Sequence, residues 1–297
     1  MQLNFKDLGR RLAPVLIIIA GIFWGLTGIF VRQLNTIGLH TMNVVAVRVI
    51  CTAILLSLYA LFFKPSLFKI KLKDLWCFLG TGIASIIFFN YCYFKTMTLA
   101  SLSVAAILLY TAPAIVMIFS LLLFREQMSI KKILALFAAI IGCISVSLWG
   151  QGKSCNNISL QALITGLGAG FGYALYTIFG RYGFLKGYSS MQITLWTFIF
   201  AAVGILPFID FNKITEVITF SFGNSVFVIL FSVICTLLPY LLYTFALSYT
   251  ESSVAAVLAS VEPVAAAFVG IIVFGEPFSL GNVIGIIAIL ISIILLK

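Results

Sequence analysis

Ten times between residues 12 and 296 the chain runs for roughly twenty residues with almost no charge, the length a helix needs to cross a bilayer's hydrocarbon. No other feature narrows the possible folds so far. The runs fall near 12–31, 41–63, 75–95, 98–124, 130–149, 160–180, 190–209, 225–246, 252–274 and 280–296. Each is too long for a membrane β-strand and lacks its apolar–polar alternation. Lipid supplies no hydrogen-bond partner, so each segment must pair its own backbone groups, as a helix does. Composition agrees: 63% of residues are hydrophobic and 9% charged, whereas soluble domains carry about a quarter charged residues. A soluble globular fold, a disordered chain and a disulfide scaffold are excluded. The expected fold is an all-α integral membrane protein with ten transmembrane helices.

The short connections hold the charge. A net charge of +10 would point to nucleic acid in a soluble protein, but here most basic residues flank apolar runs, where they meet lipid headgroups. Nucleic acid is therefore not an expected partner and the bilayer is. On alternate sides of the ten spans, thirteen Lys and Arg fall on one side and four, Arg32, Lys95, Lys153 and Lys213, on the other. The basic side is normally cytoplasmic. A multi-pass protein of the cell (cytoplasmic) membrane with both termini in the cytoplasm is expected. The first run follows Lys6, Arg10 and Arg11, but it is too long for a signal peptide and lacks a small-residue cleavage pattern.

The chain also repeats itself. Shifted by 150 positions, Ser103, Val104, Ala105, Ala106, Leu108, Pro113, Phe124, Glu126 and Ser129 fall on identical residues from Ser253 to Ser279, nine identities in 27 positions. A shift of 149 superposes Ala20, Gly21, Leu26, Ile29, Phe30 and Arg32 on Ala169, Gly170, Leu175, Ile178, Phe179 and Arg181. Two five-helix units, 1–152 and 153–297, follow. Five is odd, so the second unit enters the membrane from the other side, an inverted repeat that makes alternating access natural. The loop around Glu126 carries Arg125, Lys131 and Lys132, whereas its counterpart around Glu276 carries no positive charge.

Ten short-looped helices in two halves, each with a small-residue helix, a Pro and then Glu and Ser, resemble the EamA family of the drug/metabolite transporter superfamily. The residues that carry the likeness are Ala105-Ala106 to Pro113 with Glu126, Ala255-Ala256 with Glu262-Pro263 and Gly275-Glu276, and Arg48. The resemblance covers essentially the whole chain and implies transport of a small metabolite; amino acids, nucleosides and cations are among the family's substrates. Arg125 departs from the pattern, because a Gly often precedes this Glu.

Several groups inside the spans could carry chemistry. Glu262 lies about ten residues into the ninth run, near the midplane by helical rise, where a carboxylate needs a partner, water or a proton. It is expected to bind substrate or a proton; the alternative is a neutral Glu bonded to a neighbouring helix. Arg48, near the start of the second run, is equally readable as a membrane anchor or as a partner for a substrate anion, and an ion pair with Glu262 is conceivable. Trp24, Tyr173 and Tyr110 could wall an aromatic cavity, with plain packing as the alternative. Pro113 and Pro263 correspond in the two units and free the carbonyls of Leu109 and Ala259; they are candidate hinges, or kinks that only shape packing. Tyr93 and Tyr243 also correspond and are candidate gates at opposite ends of the cavity. The G-x-x-x-G pairs Gly21/Gly25, Gly166/Gly170, Gly168/Gly172 and Gly281/Gly285 allow close helix approach.

Other chemistry lacks its residues. The single histidine, His40, precludes histidine-paired metal sites. Five cysteines sit in apolar runs and Cys155 in a loop, with no C-x-x-C. No metal and no cofactor is expected. There is no Walker A sequence. The expected function is secondary active transport, by alternating access, of a small organic metabolite of the amino acid, amine or nucleoside class, with export as the expected direction and a proton or another ion as the coupling partner. The protein is expected as a monomer or homodimer and not as an enzyme. The competing classes are a multispanning membrane enzyme, which would need clustered acid–base or metal-ligating groups, and a channel or receptor for a small molecule.

Overall fold

The computed structural model describes residues 5–149 and 159–296. Cys155, the expected junction between the units at 152–153, and Lys6, Lys153 and Lys297 of the charge count lie outside or at the undescribed edges of those residues. The described chain is helical, with no strand. In order, the helices are α1 (Phe5–Gly25), α2 (Thr27–Thr36), α3 (Met42–Phe63), α4 (Leu75–Leu79), α5 (Phe88–Leu99), α6 (Leu102–Leu109), α7 (Ala112–Phe124), α8 (Ile130–Trp149), α9 (Leu160–Leu185), α10 (Ser190–Ile205), α11 (Phe211–Phe220), α12 (Phe222–Ser232), α13 (Leu238–Leu247), α14 (Ser252–Ala259), α15 (Glu262–Phe274) and α16 (Leu280–Leu295). Several join end to end, so nine stretches among the described residues are long and apolar enough to cross a bilayer; Leu280–Leu295, equally apolar, is a shorter helix of 16 residues. Leu122, Phe137, Ile164, Ile272 and Ile287 point outward and are exposed. That surface suits lipid and would aggregate in water.

The joints explain why the sequence breaks where it does. Pro113 and Pro263 each occupy the first turn of a new helix, α7 and α15. A proline there lacks the amide that would bond four residues back and crowds that carbonyl. The preceding turn tightens instead: the Thr111 amide reaches Leu108 O at 3.2 Å, and the Val261 amide reaches Leu258 O at 3.4 Å. The third run of each unit contains a π-helical segment, Gly80–Ile87 and Val233–Leu237, and the second falls within the first at the 150 shift. Such segments turn the following side chains to a new direction and recur at functional sites. Three residues beyond each lies a cavity residue, Asn90 or Tyr240.

Glycines let the first helix of each unit lie on the broken helix of the other. A Cβ on Gly21 would come within 3.2 Å of Ala259 O, and one on Gly25 within 2.8 Å of Glu262 O. Reciprocally, a Cβ on Gly170 would come within 2.8 Å of Leu108 O and 3.2 Å of Leu109 O. The carbonyls beside the prolines thus lie directly against backbone. Gly142 of α8 and Gly285 of α16 meet similarly, each placing its carbonyl under 3 Å from where the other's Cβ would be. One helix escaped the hydropathy reading. The segment 210–224 reads as a loop, yet Asp210 caps α11, which buries Ile214 and Val217 and leaves Phe211 and Phe220 exposed. Its apolar residues are too few for a span, which is why a window tuned to spans passes over it.

Candidate functional site

A cavity of about 500 Å³ enters the bundle from one end and reaches the joint before α15. Arg32, Asn35, Glu276 and Pro277 stand at its mouth. Its floor and walls bring together Glu262, Trp24, Tyr173, Tyr110, Arg48, Tyr93 and Pro263. Of the residues singled out by sequence, Pro113 and Tyr243 do not line it. Pro113 is buried in α7. Tyr243 is buried behind Trp24, ring centroids 5.5 Å apart, and its hydroxyl bonds Thr177 at 2.7 Å. Beyond Trp24 and Tyr240 the interior is filled by Tyr176, Tyr243, Ala246, Leu247 and Leu258.

Glu262 begins α15, so its carboxylate sits at a helix N-terminus, where the peptide dipole favours negative charge. The Tyr173 hydroxyl donates to it at 3.1 Å. Gly25 brings α1 backbone against the same turn, and the Glu262 side chain lines the cavity beside Tyr173 of α9. Arg48 does not pair with Glu262. It donates to Asn90 Oδ1 at 3.0 Å, and its guanidinium carbon lies 6.0 Å from the Phe231 ring centroid. The Asn90 amide in turn donates to Ile86 O at 2.7 Å, which fixes the side chain's orientation. Trp24 packs edge-on against Tyr240 at 5.3 Å and Tyr173 at 6.4 Å. Below the mouth the cavity therefore offers one carboxylate, Glu262, and one guanidinium, Arg48, each held by a neutral group, on walls otherwise uncharged.

Asn90, Tyr240 and the Arg32–Glu276 pair are site residues that the sequence reading passed over. The signal was present for two of them, because Asn90 and Tyr240 superpose at the same 150 shift that matched Tyr93 with Tyr243. For Arg32 the charge count favoured a topological role, and its 2.6 Å pairing with Glu276 spans 244 residues. No cluster of His, Cys, Asp or Glu with the geometry of a metal site occurs among the described residues.

Apolar helices enclosing a cavity open at one end define a multi-pass membrane protein whose interior has room for a small solute. The pattern of the EamA-like transporter family matches residues 11–148 and again 160–297, so the chain belongs to that family and is a membrane transporter built of two repeats. It is 23% identical, over 95% of its length and 93% of the relative's, to an uncharacterized inner membrane transporter, YicL, of Salmonella typhimurium. It is 28% identical to an uncharacterized transporter of Archaeoglobus fulgidus, over 65% of this chain and 66% of that one. A solved crystal structure superposes with a TM-score of 0.77 at 11% identity, covering 95% of both chains, which establishes likeness of fold.

Proposed function

We propose that the protein is a secondary active exporter of a small organic metabolite of the amino acid, amine or nucleoside class, working by alternating access. In this reading Leu280–Leu295, packed along α8, is the tenth span, and the units 1–152 and 153–297 are inverted repeats. Both termini are cytoplasmic, and the mouth at Arg32 and Glu276 opens outward. The observation that carries the reading is a cavity open at one end and filled at the other, with Glu262 and Arg48 on its wall and not spent on each other. Reciprocal glycine contacts across the two broken helices support a pseudo-twofold exchange of conformations. Glu262, Arg48, Trp24, Tyr173 and Tyr110 contact the substrate, and Glu262 is the proton site. Pro113 and Pro263 mark the hinges. Tyr93 on the wall and Tyr243 behind Trp24 gate the two ends, the Tyr243–Thr177 bond holding the far end shut.

The test is counterflow in proteoliposomes, with candidate substrates first ranked by thermal shift, since a ligand that binds the folded form raises its melting temperature. Glu262→Gln is expected to abolish or strongly slow transport and to flatten its pH dependence. Unchanged transport and an unchanged pH profile would remove Glu262 from the mechanism, and linear, non-saturating flux without counterflow would make the protein a channel.

A further inference from the structure

The two ends of the molecule hold corresponding charged residues in different ways. At the filled end Glu126 is buried and caps α14: it accepts from the Ser252 amide at 2.7 Å, the Ser253 amide at 3.1 Å and the Ser253 hydroxyl at 2.6 Å. Beside it, Arg181 Nη1 donates to the carbonyls of Leu247 and Thr250, 3.3 Å each, at the end of α13. One carboxylate and one guanidinium thus tie both sides of the α13–α14 joint.

The 150 shift carries Glu126 to Glu276, with Ser252 and Ser253 falling on Leu102 and Ser103, and Leu247 and Thr250 on Met97 and Ala100; the 149 shift carries Arg181 to Arg32. The backbones correspond as closely. Arg125 and Gly275 are both left-handed, and the next amide bonds Ser120 O at 3.2 Å in one copy and Gly270 O at 3.0 Å in the other. Only the side-chain partners differ. At the mouth Glu276 and Arg32 bond each other at 2.6 Å, both about half exposed. Ser103 lines the opening, and the Leu102 and Ser103 amides have no protein acceptor among the described residues; Ser101 Oγ takes only the Val104 amide. A helix start left this way presents unpaired donors and a positive dipole end.

A second difference shows why Glu276 alone can rest in this position. Its carboxylate lies over Gly270, so close that a Cβ there would collide with it. The corresponding residue in the first unit is Ser120, which is fully buried and carries the Cβ that Gly270 lacks. Glu126 is thereby kept forward on α14, whereas Glu276 can fold back.

From this we infer that Arg32 and Glu276 form a disengaged latch for the mouth. When that end closes, their mutual pair breaks, Glu276 caps α6 at the Leu102 and Ser103 amides and the Ser103 hydroxyl, and Arg32 takes the carbonyls of Met97 and Ala100. Opening the other end releases Glu126 and Arg181 from the equivalent contacts. An exposed ion pair adds little net stability, so parting Arg32 from Glu276 is a small cost, and the cap formed at one end offsets the cap lost at the other. The inference rests on the alternating-access reading and deepens it by naming the gate.

Ala106 lines the open cavity and its counterpart Ala256 is buried at the filled end. Thiol probes at Ala106→Cys and Ala256→Cys therefore report on the two ends. In nanodiscs, with alkylation by a polar maleimide read by peptide mapping so that native cysteines are resolved, Glu126→Gln raises the ratio of Ala256→Cys to Ala106→Cys labelling about tenfold, the shift expected from losing a charge-assisted hydrogen bond. Glu276→Gln lowers the ratio by a similar factor. If Glu126→Gln does not assemble, Ser253→Ala removes one donor and gives the same sign at smaller size. Unchanged ratios, or both variants shifting the same way, overturn the latch. Tyr243→Phe separates the two levels of failure. If it raises Ala256→Cys labelling while Glu126→Gln does not, alternating access stands and the latch falls. If no variant raises that labelling above the buried native Cys143, both fall.

Discussion

Gly170→Ala probes the contact on which the cavity's architecture depends. In α9 the added methyl would point at backbone, 2.8 Å from Leu108 O and 3.2 Å from Leu109 O, and also against Thr111 Oγ1, which itself donates to Leu108 O at 2.7 Å. Carbonyls at a helix joint cannot rotate away as a side-chain tip can, so the helices must separate. Overpacking of this kind costs about 1–3 kcal/mol. Against it stands the gain from replacing a helical glycine, about 0.5–1 kcal/mol. The net is a loss of up to about 2.5 kcal/mol. Gly180→Ala, on the same helix, provides the control: its Cβ would meet only Leu247 Cδ2, at 3.6 Å, an ordinary contact. That variant keeps the propensity gain and is stabilised. Melting temperatures in one detergent, followed by the onset of aggregation on size-exclusion chromatography, should place Gly170→Ala below wild type and Gly180→Ala at or above it. Transport should fall for Gly170→Ala alone, because the displaced α6–α7 joint carries Tyr110 of the cavity wall. Equal melting temperatures for the two variants would refute the close-approach argument.

Other substitutions test separate links. Arg125→Gly relieves a left-handed residue at φ 54° and should stabilise the protein by up to about 1 kcal/mol, seen as a higher melting temperature. Asn90→Leu takes away the acceptor that holds Arg48 and should cut transport at least about tenfold through the charge-assisted bond it loses, read by counterflow together with a smaller substrate-induced thermal shift. Tyr188 donates to buried Asp74 at 2.9 Å and accepts from the Lys71 amide at 3.0 Å; Tyr188→Phe should cost about 1.5–3 kcal/mol by stranding the carboxylate. Burial first, and then the Asp74 carboxylate, raise the Tyr188 phenol above its ordinary range. Its contribution is therefore fully present below that range and is lost as pH rises through the raised value; wild type and Tyr188→Phe should converge in melting temperature at strongly alkaline pH and differ by a constant amount below it.

Much of the cavity's lining was legible because it rests on local rules. Glu262 stands out as an acid deep in an apolar run, and Pro263 marks the joint beside it. Trp24 and Tyr173, matched by the repeat, do face one cavity. Arg48 was legible as an intramembrane cation, but its partner was not. Asn90 lies 42 residues away, and its orientation depends on the π-helical turn at Gly80–Ile87, a feature without a hydropathy signature. Tyr243 matches Tyr93 in sequence and yet lies in packed interior against Trp24 and Tyr176, whereas Tyr93 faces the cavity.

Hydropathy and periodicity by themselves determined that this chain is a bundle of membrane helices, repeated, with breaks at Pro113 and Pro263 and an acid beside one of them. These properties follow from the cost of polar groups in hydrocarbon and from the missing proline amide, both of which act within a few residues. That one end stands open, with Glu276 paired to Arg32, while Glu126 caps a helix at the filled end, was decided by tertiary structure alone. Corresponding residues of a repeated sequence can thus meet different partners, because a pair such as Arg32 and Glu276, 244 residues apart, comes together only when distant helices pack.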